Sequence, residues 1–143
     1  YSIAVANEEL FAETTAETIF DSTNFERTFH ADLASAKRSI VISTTRLRWK
    51  RAPRIIDLLA ASSLRGVSIT IVIAETGHRE EELRQMGFTI IHHPDCKMQA
   101  AIIDQHIGWY GSINLVGRSI MDATTIRIKF PEFADTLLEA LTL

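Results

Sequence analysis

The stretch KMQAAIIDQHIGWYGSIN, running from Lys97 to Asn114, decides the fold. Met98–Asp104 and Ile107–Gly111 each read as a strand, and only Gln105 and His106 separate them. Two strands that close leave no room for a crossover helix, so they form an antiparallel hairpin turning at Gln105-His106. Polar residues punctuate the stretch at Lys97, Gln99, Asp104, Gly111, Ser112 and Asn114. Residues two apart on a strand point the same way, so Lys97 and Gln99 face one site. Gly111 lets backbone come close, and Ser112 and Asn114 present hydrogen-bond donors beside it.

Upstream the grammar is different. Thr23-x-x-Glu26 has the spacing of a capping box, and Phe25, Phe29 and Leu33 recur behind it on one helical face. Ser39–Thr44 is a β-branched run that suits a buried strand. Pro53 then opens a helix through Ile55, Ile56, Leu59 and Ala60, which Gly66 closes. Val67–Ala74 reads as a second strand, Arg79–Met86 as a short acidic helix stopped by Gly87, and Phe88–His92 as a third strand. Strands alternating with helices imply parallel pairing through right-handed crossovers. Beyond the hairpin, Thr124–Phe130 forms another strand, and Pro131 opens a last helix carrying Phe133, Leu137, Leu138 and Leu141. The expected architecture is an α/β fold with a mixed sheet flanked by helices, in one domain over residues 23–143. Residues 1–22 form an N-terminal segment whose structure the pattern leaves undefined.

The chain has 143 residues, 46% hydrophobic and 23% charged, enough to bury a core within a single domain. No run approaches the roughly 18 apolar residues of a membrane span, and no secretory signal opens the sequence, so a cytoplasmic location without membrane contact is expected. Starting at Tyr1 rather than Met, the chain reads as part of a longer protein. The single Cys96 cannot form an internal disulfide. A packed thiol is the expectation there, although Lys97 beside it would lower its pKa. Net charge is only −3, which gives no general reason to expect nucleic acid. Its distribution does: residues 46–54, RLRWKRAPR, hold Arg46, Arg48, Lys50, Arg51 and Arg54 with no acid among them. This run follows the first strand's C-terminal end, where open α/β folds bind ligands.

The series Lys97-x-Gln99-x4-Asp104-x6-Gly111-Ser112-x-Asn114 resembles the phosphodiesterase motif of the phospholipase D superfamily, His-x-Lys-x4-Asp-x6-Gly-Ser-x-Asn. The last four positions match. Lys97 stands where the family keeps its nucleophilic His, and Gln99 where it keeps a phosphate-binding Lys. Other segments agree with one such repeat: a helix ending in Ala36-Lys37-Arg38 before the first strand, Arg65-Gly66-Val67 before the second, and Ile126-Arg127-Ile128 after the acidic Asp122. The resemblance is greatest to the phospholipase D-like domains appended to bacterial helicase-type ATPases, although no ATPase motif is present here.

The resemblance implies a two-histidine chemistry in which one imidazole attacks phosphorus and a second protonates the leaving oxygen, while Lys, Ser and Asn hold the nonbridging oxygens. Lys97 cannot take over the attack, because an ammonium with a reference pKa of about 10.4 has no lone pair. Gln99 donates hydrogen bonds but brings no charge. Both losses fall on groups that act on phosphorus itself. The expected function is therefore a catalytically degenerate domain that binds nucleic-acid phosphate, DNA in preference, as an accessory module of a larger DNA-processing protein. Its phosphate contacts would be Lys97, Gln99, Ser112, Asn114, Arg46, Arg48, Lys50 and Arg51, with no cofactor and no metal. Two other readings stand beside it: half of an active nuclease completed by a partner or second copy, and a dimerising scaffold without ligand. Family sites are assembled from two copies, which implies a homodimer or pairing with another such repeat.

Some residues admit plainer roles. Gly-Ser-x-Asn alone also describes a turn, and Asp104 could cap the hairpin instead of serving the site. Arg46–Arg54 could be a solvated loop, and Asp122 a surface turn. His92, His93, Cys96 and His106 are close in sequence but fit no standard zinc spacing. His30, next to Phe29, is expected to be half-buried.

Overall fold

The computed structural model describes residues 19–47, 53–75, 79–116 and 123–141. Arg48, Trp49, Lys50, Arg51 and Asp122 lie outside the described residues. Within the described residues, seven strands form one sheet: β1 Ile19–Asp21, β2 Ser39–Thr44, β3 Ser68–Ile73, β4 Thr89–His92, β5 Gln99–Ile103, β6 Ile107–Gly111 and β7 Thr124–Lys129. Their order across the sheet is β1-β7-β6-β5-β2-β3-β4. Parallel pairing is confined to β2-β3-β4, and β5 joins β2 antiparallel to start a second half in which every pairing is antiparallel. Among the described residues, four helices flank the sheet: α1 Phe25–Ser35, α2 Pro53–Leu64, α3 Glu80–Gln85 and α4 Pro131–Ala140.

The helices divide unequally between the faces. Phe25, Phe29 and Leu33 of α1, Ile55, Ile56 and Leu59 of α2, and Leu83 of α3 share a core with Ile40, Ile42, Ile69, Ile71, Ala101, Ile103 and Trp109. The α2 and α3 crossovers thus lie on one face, as successive crossovers of a single hand require. On the opposite face, α4 lays Ala134, Leu137 and Leu141's neighbourhood over Val72, Cys96 and Ile102. Cys96 is accordingly a packed thiol. Gly108 admits α4, because a Cβ there would come within 2.6 Å of the Phe133 ring. No helix among the described residues is long and apolar enough to cross a membrane.

One buried charge sits on the apolar stripe of α1. Asp32 is 5% exposed and accepts the Trp109 indole N–H at 2.8 Å. It also accepts two guanidinium N–H groups of Arg127, at 2.7 and 2.9 Å. Burying a carboxylate is costly unless it is paired and hydrogen-bonded, and here both oxygens are engaged. The Trp109 ring stacks edge-on against Phe29 and lies tilted against Phe20, with centroids 5.3 Å away in each case. The cluster thereby fastens α1 to β6 and β7.

Three local expectations need correction. The capping box does not form: α1 starts after Asn24, which makes no side-chain cap. Thr23 instead donates its backbone N–H and hydroxyl to Asp21 Oδ1, while Asn24 Oδ1 accepts the Asp21 N–H. Asp21 is a stronger competitor for Thr23 because a carboxylate makes charge-assisted bonds, and Thr23's hydroxyl, followed by its N–H, lowers the Asp21 pKa. The first helix ends at Ser35, with Ala36 already extended. The hairpin turns one residue earlier than expected. Its left-handed residues are Asp104 (φ 55°) and Gln105 (φ 52°), and His106 donates its N–H to Ile103. Two positive-φ residues match the strand twist of a tight hairpin.

Asp104 also does something the hairpin does not ask of it. Its carboxylate accepts backbone N–H groups from Lys37 (3.0 Å), Arg38 (2.7 Å) and Ser39 (3.1 Å), at the start of β2. Burial alone would raise its pKa, but the N–H groups of Arg38, Ser39 and Lys37, with the Arg38 charge, outweigh it and hold the carboxyl below its ordinary value. A depressed folded pKa contributes stability that is fully present above the unfolded value of about 3.9 and is lost as pH falls through the folded one. Asp104→Asn keeps an acceptor and tolerates the left-handed backbone but removes the charge. In urea titrations it should be less stable by about 1 kcal/mol at pH 7, the usual range for charged hydrogen bonds being discounted for solvent screening. The gap should close only below about pH 3.9; a gap unchanged down to pH 3 would exclude the charge as its cause.

Candidate functional site

The candidate site lies at the C-terminal end of the parallel strands, where β2 runs out, β5 begins and β6 ends. Register brings these termini together: Ser43 pairs with Ala100, and Gln99 pairs with Gly111, which in turn pairs with Thr125 of β7. Ser43 donates its hydroxyl to the Met98 carbonyl at 2.8 Å, fastening the segment that carries Lys97 to β2. Gln99 Nε2 reaches Thr45 Oγ1 at 3.5 Å.

Asn114 organises the loop after β6. Its Oδ1 accepts the Thr44 hydroxyl (3.2 Å) and the Val116 N–H (3.1 Å), while Nδ2 donates to the Arg46 carbonyl (3.3 Å). Thr44 is fully buried and its hydroxyl also reaches the Arg46 carbonyl at 3.4 Å. The first arginine of the basic run is thus tied by its backbone to the Gly-Ser-Ile-Asn segment. Ile113, Leu115 and Val116 bury their side chains and anchor this loop to the core.

Ser112 is committed to β7. Its N–H donates to the Thr124 carbonyl at 2.8 Å, its hydroxyl reaches the same carbonyl at 3.3 Å, and its oxygen accepts the Thr124 N–H at 3.0 Å. Gly111 makes that approach possible. A Cβ at this position would stand 2.2 Å from the Thr124 carbonyl oxygen and 2.6 Å from Thr125 Cα, so any side chain would push β7 away. Gly111 is required by packing, whatever the site binds.

The sequence-predicted residues divide into three groups. Gln99, Ser112, Asn114 and Arg46 meet at this end of the sheet, and Lys97, exposed, precedes Gln99 by two residues on the same edge. Asp104 lies at the other end of β5, bonded to the start of β2, roughly 15 Å away at the usual strand rise. Its carboxylate holds the N–H groups that open β2, a role that neither the capping reading nor the site reading assigned to it. Arg48, Lys50 and Arg51 lie outside the described residues, while Arg54, on the first turn of α2, faces α1 closely enough for its charge to act on His30. His30 is half-buried; burial lowers its pKa, Glu26 opposes that and Arg54 reinforces it.

The four residues considered for zinc do not converge. His92 Nε2 lies 3.0 Å from Glu80 Oε1, Cys96 is packed under α4, and His106 sits in the hairpin turn at the far end. Among the described residues, no group of three or more His, Cys, Asp or Glu is arranged to hold a metal ion. Sequence reasoning missed Thr44, Thr45 and Thr125. A signal existed, since Ser43-Thr44-Thr45 puts three hydroxyls at the end of an apolar strand, where binding residues collect.

No protein-family model matches the chain, and no curated protein matches it. Solved structures do. Nuc from Salmonella typhimurium, a phospholipase D family member, superposes with a TM-score of 0.71 at 23% identity, over 85% of this chain and 88% of Nuc. NucT from Helicobacter pylori gives 0.65 at 13% identity, over 86% and 91%. TrmBL2, an archaeal chromatin protein with a novel mode of DNA binding, gives 0.64 at 17% identity, over 97% of this chain but 58% of its own. The α/β arrangement expected from the sequence, a mixed sheet flanked by helices, is the one observed, and it matches the fold of Nuc, a phospholipase D family member.

Proposed function

We propose that this chain is a catalytically degenerate phospholipase D-like domain that grips nucleic-acid phosphate without cutting it, as an accessory module of a larger DNA-processing protein of helicase or nuclease type. The observation that carries the reading is the bond from Asn114 to the Arg46 carbonyl, which joins the basic run to the Gly-Ser-Ile-Asn segment. A backbone threading this end of the sheet would meet Lys97, Gln99, Ser112 and Asn114 beside Arg46, the residue from which the basic run continues in sequence. Ser112 can contribute cheaply. Thr124's carbonyl already receives the Ser112 N–H at 2.8 Å, so turning the longer hydroxyl bond toward a phosphate oxygen leaves that carbonyl satisfied.

Catalysis fails on both of its chemical requirements. The ammonium of Lys97 has no lone pair to attack phosphorus, and Gln99 supplies no charge to the pentacoordinate state that follows. Removal of a nucleophile alone costs on the order of 10⁶ in turnover. The chain should therefore cleave neither bis-p-nitrophenyl phosphate nor DNA or RNA, with or without added metal. The double variant Lys97→His, Gln99→Lys rebuilds the two lost groups, and slow hydrolysis appearing only in that variant is expected; turnover in the unaltered chain that vanishes in Lys97→Ala would overturn the reading.

Binding should be largely independent of sequence and fall steeply with salt, because each neutralised phosphate releases counterions. Replacing Arg48, Lys50 and Arg51 together by Ala should weaken oligonucleotide binding, read by fluorescence anisotropy, and reduce the log–log salt slope by about 2–3. The thermal midpoint should move little, since exposed charges contribute little to stability. Absence of binding at low salt would favour the scaffold reading instead.

A single repeat supplies half of a twofold cleft, so the domain should pair with a second copy of itself, bringing two Lys97 ammoniums toward one another. Their repulsion is relieved by an anion between them, which makes dimer and phosphate mutually stabilising. Sedimentation at tens of micromolar should give twice the chain mass, more fully so with phosphate added; a monomer throughout would remove the shared cleft.

A further inference from the structure

One face of the sheet carries an apolar surface that α4 leaves open. Successive residues of β6 point to opposite faces, so Trp109 enters the core under α1 while Gly108 and Tyr110 face the other way. On that side α4 packs over β5 and β6, with the Phe133 ring and Leu137 seated above Gly108. Past this contact lies one row of paired residues, Tyr110 with Ile126 and Ile126 with Ile19. Tyr110 is 44% exposed and Ile19 69%, with Ile126 half-buried between them. Apolar side chains exposed singly need no explanation, but three in register form a patch, and contiguous patches mark binding surfaces.

Tyr110 stands next to a proposed phosphate contact. The Ser112 N–H donates to the Thr124 carbonyl at 2.8 Å, which continues the β6–β7 ladder one residue past the pair of Gly111 and Thr125. Ser112, itself exposed, therefore projects on the same face as Tyr110, two residues or about 7 Å along the strand. A phosphate and the base of its own nucleotide are spaced on this scale. A strand whose phosphate oxygen takes the Ser112 hydroxyl can thus lay the attached base over the Tyr110 ring, with Ile126 flanking it. The size of the patch argues against a second copy of the chain as its occupant. A stable interface buries about 800 Å² per partner, whereas this row offers roughly a few hundred. An unpaired base matches that area. A duplex does not, because its bases are already stacked on one another and present only their edges.

We propose that Tyr110 is a stacking platform for an unpaired base, so that the domain takes single-stranded nucleic acid with a phosphate at Ser112 and the adjoining base on the Tyr110 ring. This rests on the nucleic-acid reading above and adds the strand form to it. Every base has a π-face, so the platform is indifferent to base identity, which agrees with binding that reads no sequence. Stacking releases no counterions. Its contribution therefore adds to that of the phosphates without steepening the salt dependence.

The test is fluorescence anisotropy at fixed salt with a single strand of DNA, the same strand with its bases removed to leave sugar and phosphate, and the duplex. The unaltered chain should bind the intact strand about 5- to 10-fold more tightly than the abasic one, the low end of what one base–aromatic stack contributes, because the ring is already half covered. Tyr110→Ala should bring that ratio to about 1 with the log–log salt slope kept. Tyr110→Leu, which keeps an apolar side chain on the sheet but no flat ring, should do the same, whereas Tyr110→Phe should retain the ratio. Equal, salt-sensitive binding of intact and abasic strands by the unaltered chain would overturn this proposal and leave the phosphate reading standing, whereas no binding of any oligonucleotide would remove both. Loss of duplex affinity in Tyr110→Leu as large as the loss for the single strand would overturn the assignment to an unpaired base. A ratio unchanged in Tyr110→Leu, with sedimentation showing a dimer turned to monomer, would give the patch to a second copy and overturn the proposal.

Discussion

The carboxylate of Asp32 is the constraint on which much of this fold depends. It is buried on the apolar face of α1, and it is tolerable there only because Trp109 and Arg127 hold both of its oxygens. Removal of one partner from a buried pair typically costs about 3–5 kcal/mol, because the survivor is left charged without compensation. The pair therefore specifies an arrangement as much as it stabilises one: α1 has to lie where β6 and β7 can reach it. That placement sets Trp109 against Phe20 and Phe29, and it aligns the ends of β6 and β7 from which the candidate site is built.

From that alignment the site follows by register. Gly111 must be a glycine because β7 crosses too close for a Cβ, and the same closeness lets Ser112 clamp both backbone groups of Thr124. Asn114 performs the equivalent task on the other side, tying the loop to Thr44 and Arg46. The matching residues of the motif are thus structural first. They fix a loop at the end of the sheet, a structural task that does not depend on what stands at Lys97 and Gln99. Asp104 completes the pattern at the far end, where it gathers three N–H groups that open β2.

Electrostatics at the site end differ from those of a phosphodiesterase in kind. An imidazole and an ammonium would offer a lone pair and a fixed charge, whereas an ammonium and an amide offer attraction and directional bonding without a nucleophile. On the proposed reading, attraction by the basic run and directional bonding by the amide are separable contributions. The first is screened by salt and the second is not.

The order and type of nearly every element were legible in the sequence, because hydrophobic period, proline and glycine act locally. Ser39–Thr44 and Pro53–Leu64 begin where β-branching and Pro53 indicate. The boundaries that moved, at Thr23 and at Asp104-Gln105, did so where a carboxylate competed for backbone donors that pattern alone had assigned elsewhere. The basic run, the Gly-Ser-x-Asn spacing and the antiparallel hairpin were likewise readable, since each is a matter of residue type and spacing. What only the tertiary structure decided is where these pieces meet. Asp32 finds partners in Trp109 and Arg127, 77 and 95 residues away. Asp104 is carried to the opposite end of β5 from Gln99, and Gln99 falls in line with Gly111 and Thr125. Such meetings are fixed by strand order and register, which depend on the whole sheet and on no stretch of sequence taken alone.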